Sequence, residues 1–353
     1  MGCSPQSRLG PAIVHERYEA VTHTADLPGT RHVIAFDAFG PPSVLTARVE
    51  PLPVPGPDDV VVKVDAVGVN FADTMVRRGE YRRDQTVPSI PGMEVVGTVI
   101  AAPAGSGLEA GAPVAVFMED GGGYTDYAVQ DRSLVTPIPC GTDPVTAAAA
   151  FLQGVSAWYA IRRYGYVAGD DFVLVTAAAG GLGGLAVQLA ADLGAVVIGT
   201  ASTPEKRAQA RAGGCIEALD GADPQLRHRV IELTGGHGVD VVIDSVGGPL
   251  FETALGCLAH NGRYVVAGSA TQQPANLDVR RLMPRGQTVS GFIVRRVMEL
   301  DAHEPARALA HVLARIAAGA VTVSATSMPM SEAARAHTLI ESRQSVGKIC
   351  LIP

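Results

Sequence analysis

The spacing of apolar residues changes character near residue 150, and the change divides the chain into differently built parts. Before it, apolar runs are short and separated by glycine and proline, at 32–36, 60–67, 95–100, 112–117 and 124–129. The second run reads as a strand whose apolar residues include Val60, Val62, Val64 and Ala66. Pro51, Pro53, Pro55 and Pro57 break the chain just before it. Residues 145–164 are alanine-rich and predict a helix. Strands are then predicted at 172–177, 196–199, 239–243 and 263–268, with helical stretches between them. Such alternation builds a parallel, doubly wound sheet. Near the end, Leu309, Val312, Leu313 and Ile316 fall at helical spacing within 304–318, and Gly319 stops that helix. A further helix is predicted from Ser331, with that serine as its N-cap.

This organisation predicts an α/β enzyme of two discontinuous domains. Residues 1–30 lack either period and read as a loosely ordered extension. Residues 31–154 form a β-rich domain, 155–296 a Rossmann-type nucleotide-binding domain inserted into it, and 297–353 the return to the first domain. A ligand then belongs in the cleft between them, at the carboxyl ends of the parallel strands.

The chemistry concentrates in residues 173–199, VLVTAAAGGLGGLAVQLAADLGAVVIG. Strand, glycine cluster, helix and second strand follow in the order of a dinucleotide-binding βαβ unit, with Gly181, Gly183 and Ala186 at the G-x-G-x-x-A positions. The glycines allow a tight turn and close approach of backbone to a pyrophosphate, which the helix N-terminus attracts. A NAD-selective unit carries an acid about 20 residues further on to bind the ribose hydroxyls. Here the second strand ends Gly199-Thr200-Ala201-Ser202, and Lys206 and Arg207 follow. Hydroxyls and a cation with no acid suit a 2′-phosphate, so the cofactor expected is NADPH, with Thr200, Ser202 and Lys206 around the phosphate. The competing reading makes Lys206 and Arg207 a solvated first helical turn.

Of 353 residues 47% are hydrophobic and 18% charged, giving a net charge of −7, which argues against nucleic acid or an anionic membrane as partner. Cys3, Cys140, Cys215, Cys257 and Cys350 are isolated in sequence, as expected of a reducing, cytoplasmic setting, and they share no metal-ligand spacing. No histidine or acidic cluster predicts a metal, and no motif predicts a covalent nucleophile.

From about residue 32 to the end, the ordered motifs resemble the zinc-independent quinone oxidoreductase, or zeta-crystallin-like, branch of the medium-chain dehydrogenase/reductases. GVNFADTMVRRGEY (68–81) is similar to its substrate-cleft motif, PSIPGMEVVGTV (88–99) to a following strand, and FLQGVSAWYAI (151–161) to its nicotinamide-side helix. DSVGG (244–248) and GKICLIP (347–353) complete the likeness. The resemblance implies a GroES-like catalytic domain around the Rossmann unit, a homodimer, and NADPH-dependent hydride transfer to a small-molecule quinone or activated alkene such as an enone. It implies cofactor contacts from Asn70, Gln153, Ser156, Ala179, Gly180, Gly181, Leu182, Gly183, Val246, Ser269, Phe292, Ile293, Val294 and Lys348, besides Thr200, Ser202 and Lys206. Asn70, Arg77 and Tyr81 become donors to the developing oxyanion, with Asp73 orienting its neighbours.

Zinc-dependent relatives require Cys where this chain has Asn70, and Gly-His-Glu where it has Gly92-Met93-Glu94, so no metal is expected. Met75 stands where several quinone reductases of this branch carry tyrosine. Two other functions fit the same scaffold: an enoyl or tailoring reductase of a biosynthetic pathway, and a non-catalytic NADPH-binding protein.

Overall fold

The computed structural model describes residues 27–300 and 303–353. Most of the extension expected at 1–30 therefore lies outside the described residues. Strands β1 (Thr30–Ala35) and β2 (Thr46–Pro51) pair as an antiparallel ribbon. The β-rich domain follows, with β3 (Asp59–Val69), α1 (Phe71–Arg78), β4 (Glu94–Ala101), β5 (Pro113–Phe117), β6 (Tyr127–Asp131) and β7 (Val135–Pro137). Its β3 is buried along most of both faces: Val60, Val61, Val62, Ala66 and Val67 are all enclosed. The cause is its central place, hydrogen-bonded to β4 along most of its length, to β6 near its start and to the C-terminal strand near its end.

Helix α2 (Pro144–Tyr159) starts from an Asp143 cap whose carboxylate accepts from the Thr146 N–H. Its small residues Ala147–Ala150 sit in the core shared by the two domains. The second domain then runs β8 (Phe172–Val175), α3 (Gly181–Asp192), β9 (Val196–Thr200), α4 (Pro204–Ala212), β10 (Cys215–Leu219), α5 (Leu226–Leu233), β11 (Val239–Asp244), α6 (Pro249–Leu255), β12 (Leu258–Val266) and β13 (Thr288–Gly291). All six strands are parallel, in the order β10-β9-β8-β11-β12-β13. Val173 and Val175 enter one core and Leu174 the opposite one, so β8 is apolar without alternation, as a strand covered on both faces must be. The strand order reverses between β8 and β11, and there the crevice opens.

Helices α7 (Val294–Leu300) and α8 (His303–Ala317) precede β14 (Ala325–Pro329), α9 (Ala333–Glu341) and β15 (Lys348–Ile352). The chain rejoins the first sheet at β14, later than the return expected at 297. Arg315 of α8 pairs with Asp192 of α3, and the Gln188 side chain on α3 bonds both backbone groups of Thr322, so this segment lies against the nucleotide-binding domain. Ser331 does not cap a helix as expected; it lies inside a 3₁₀ turn, Met330–Glu332, and α9 begins after it. Among the described residues no helix is long and apolar enough to cross a membrane.

Candidate active site

The cleft is a cavity of about 1240 Å³ along the carboxyl ends of the parallel strands. At its centre β8 turns into α3. A Cβ on Gly183 would overlap the Ala177 carbonyl, so that position requires glycine, and one on Gly181 would push the Gln153 carboxamide aside. No side chain caps α3, whose N-cap is Gly180, and the N-terminus of the helix faces the cleft free for an anion. Beside it, buried Asp244 organises the turn after β11. Its carboxylate accepts from Thr176 Oγ1 (2.7 Å), Tyr264 Oη (2.7 Å) and the N–H groups of Val246 (2.9 Å) and Gly247 (3.2 Å). Val246 is thereby held on the cleft wall, which Ser269 also lines.

Every expected cofactor residue lines this cleft except Lys348. Gln153 Oε1 is buried without a hydrogen-bond partner beside Gly181, an acceptor that a bound ligand's donor would satisfy. Ser156 is buried on the same helix, its hydroxyl donating to the Leu152 carbonyl at 2.7 Å. Phe292 stacks on Tyr164 with centroids 4.8 Å apart and planes 9° from parallel, which fixes this wall where β13 passes into α7.

At the other end of the cleft, Lys206 Nζ donates to the Arg343 carbonyl at 2.7 Å, and burial followed by the Arg343 charge lowers the lysine pKa. Arg343 also lines the cleft, and neither cation has an acidic partner among the described residues. The nearby carboxylate of Asp220 is engaged by Arg207 at 3.3 Å. Sequence reasoning missed Arg343, which resembles an ordinary cation after a helix and meets Lys206 only through the fold. Gly347, four residues on, bridges to Gly180 and ties this segment to the glycine loop.

The expected catalytic residues separate. Tyr81 lines the cleft half-buried, and its hydroxyl has no hydrogen-bond partner among the described residues. Burial first, then the Asp73 charge, raise its pKa, so it stays a protonated donor. Asn70 also lines the cleft, but its amide is committed: Nδ2 donates to Glu94 Oε1 (2.8 Å) and Oδ1 accepts from Lys348 Nζ (2.8 Å). Lys348 Nζ reaches Glu94 Oε1 at 2.5 Å, and Glu94 Oε2 accepts from the Leu152 N–H at 2.8 Å. Lys348 is thus a buried strut to the Asn70 corner rather than a wall of the main cleft, correcting the cofactor contact expected of it. Arg77 is likewise corrected: its guanidinium is buried and bonded to Gly40 O, His337 and Glu341, away from the cleft. The next residue, Arg78, faces the cleft instead.

Asp73 does its work inside the protein. Its Oδ2 accepts from the Asn70 N–H (2.8 Å) at the start of α1 and lies 3.5 Å from Tyr124 Oη. Tyr124 Oη in turn meets His337 Nε2 at 2.8 Å, and Arg77 donates to His337 Nδ1 at 3.2 Å. Because arginine only donates, His337 carries its proton on Nε2. Burial pushes Asp73 up to about 7, and burial with the Arg77 charge pushes His337 down to about 3. Among the described residues no group of three His, Cys, Asp or Glu side chains is placed to hold a metal.

Two families match in sequence: residues 56–140 the alcohol dehydrogenase GroES-like domain, and residues 181–313 the zinc-binding dehydrogenase family. The quinone oxidoreductase of Pseudomonas aeruginosa is 35% identical over 327 residues, spanning 91% of this chain and 99% of its own. A 2-haloacrylate reductase from a Burkholderia species is 34% identical, over 85% of this chain and 92% of its own. In three dimensions, Escherichia coli quinone oxidoreductase complexed with NADPH superposes with a TM-score of 0.85 at 32% identity, over 92% of this chain and all of that one.

Proposed function

Since the chain belongs to the quinone oxidoreductase family of medium-chain dehydrogenase/reductases, we propose that it is a zinc-independent, NADPH-dependent reductase of quinones or activated alkenes such as enones. The observation that carries the cofactor choice is the pair Lys206 and Arg343, two cations on the cleft wall with no acidic partner among the described residues, beside Thr200 and Ser202. Such a corner suits a 2′-phosphate and the uncapped N-terminus of α3 suits a pyrophosphate. The unpartnered Gln153 oxygen and the room left by Gly181 and Gly183 fit the same ligand.

When bound, reduced nicotinamide supplies a hydride to the electron-poor carbon of the acceptor. Charge then grows on the acceptor's carbonyl oxygen, and Tyr81 is a cleft residue with a hydroxyl free to donate to it. Asn70, held by Glu94, Lys348 and Asp73, shapes the floor of that corner. Zinc-independence is supported by the Lys348 ammonium, which already uses the lone pairs of Asn70 and Glu94 that a metal would need. We also propose a homodimer, supported by the outer edge of β13, which has no partner strand among the described residues, and by exposed Val279 and Met283 in the segment leading to it. A cytoplasmic setting is supported by the free, buried thiols of Cys215, Cys257 and Cys350. The test is NADPH consumption against a panel of quinones, enones and enoyl thioesters. Turnover of the thioesters alone would move the assignment to a biosynthetic enoyl reductase, and NADPH binding with no turnover at all to a binding protein.

A further inference from the structure

We propose that the ion pair between Arg295 and Glu119 acts as a charge filter at the substrate end of the cleft, making the enzyme select uncharged acceptors over those bearing a carboxylate. The inference rests on the reductase reading above and narrows its substrate class.

The cleft is lined by four cations among the described residues: Arg78, Lys206, Arg295 and Arg343. Those at the adenosine end, Lys206 and Arg343, lack acidic partners there, as a phosphate site requires. Those at the substrate end are neutralised. Arg295 Nε and Nη2 both donate to Glu119 Oε1, at 2.9 and 2.6 Å, and Asp120 Oδ1 stands 3.8 Å from Nη2. Asp120 also accepts from Arg82 at 2.7 Å, so Arg82 and Arg295 both lie against this acidic pair. Arg78 is held by Glu80 and Glu341. Arg295 comes from the first turn of α7, on the nucleotide-binding side, and Glu119 from the chain after β5, on the opposite side. Arg295 therefore faces the cleft while Glu119 stands behind it.

The placement matters because Arg295 is close enough to Tyr81 for its charge to lower the tyrosine pKa against the effect of burial. An acceptor oriented by Tyr81 thus lies within range of this group. The pair is only about a quarter exposed, 27% on each side chain, so its charges are partly desolvated. A substrate carboxylate approaching Arg295 meets the negative charges of Glu119 and Asp120 that already engage it. An uncharged carbonyl faces no such opposition, and the surrounding Phe71, Met75, Met93, Phe292 and Ile293 present it with apolar surface.

The decisive substrates are 2-chloroacrylate and its methyl ester, which share a reactive alkene and differ in charge. Wild type is expected to show kcat/KM for the ester at least about tenfold above that for the acid. Glu119→Gln, which keeps shape and removes the charge behind Arg295, is expected to close that gap by about tenfold, chiefly through KM for the acid. Adding Arg295→Met to Glu119→Gln should abolish the gain. Wild type using acid and ester equally, or Glu119→Gln leaving their ratio unchanged, would overturn the filter. A protein that reduces neither the ester nor any quinone would defeat the reductase reading instead. In that event calorimetric binding of the two compounds to NADP⁺-loaded protein decides the filter, which is overturned by equal affinities in the wild type.

Discussion

Replacing Lys206 by alanine probes the adenosine end of the cleft, because its ammonium is half-buried, lies against the Arg343 carbonyl and faces no acid of its own. A hydrogen bond between ionised partners is worth about 1.5–3 kcal/mol, and partial exposure with Arg343 still in place brings the expected loss to the low end of that range. About 1.4 kcal/mol corresponds to tenfold, so Lys206→Ala should weaken NADPH about tenfold and leave NADH nearly unchanged. Adding Arg343→Ala should bring the two cofactors to similar affinity, with the two losses coupled because the residues share one phosphate. The assay is titration by calorimetry at low and high ionic strength, and the NADPH advantage should shrink with salt because the site is partly open. Equal affinities for NADPH and NADH in the wild type, or equal losses of both in Lys206→Ala, would refute the 2′-phosphate assignment.

Tyr81→Phe should lower turnover on an enone by about 10- to 100-fold while sparing NADPH affinity, read by steady-state kinetics beside a binding titration. Lys348→Met strands the fully buried Glu94 carboxylate and should cost about 3–5 kcal/mol in denaturant unfolding, much of it restored by adding Glu94→Gln. His337, held near 3 when folded and near 6.5 when unfolded, stabilises the protein above pH 6.5, and that contribution fades as pH falls toward 3. Unfolding free energy should therefore carry a slope of up to about 1.4 kcal/mol per pH unit in that window that His337→Gln lacks, and matching slopes would refute the buried, neutral histidine.

The parts legible in the sequence are those whose physics is local. Strands such as β8 and β11 announce themselves as apolar runs because both faces are covered, and Gly183 because backbone leaves no room for a side chain there. The strands β2 and β14 escape because they are largely exposed and exist by pairing alone. Adjacent arginines show the limit on the site. Both Arg77 and Arg78 end the amphipathic α1, and a rotation of one helical residue buries the first against α9 while turning the second to the cleft. Likewise Asn70, Glu94 and Lys348 come from β3, β4 and β15, and only the sheet pairing makes them one cluster. The pairing of Arg295 with Glu119 has no local signature at all, since the two lie 176 residues apart and each has a like charge, Arg296 or Asp120, as its sequence neighbour.

Zinc-independent, NADPH-dependent reduction is tested most directly by hydride transfer in the chelator-treated protein, measured anaerobically with NADPH or NADH and one quinone or enone. The expected result is stoichiometric reduction of the acceptor that is faster with NADPH and is not increased by added zinc. Activity that disappears on chelation and returns with zinc, or reduction that runs equally well on NADH, would contradict it.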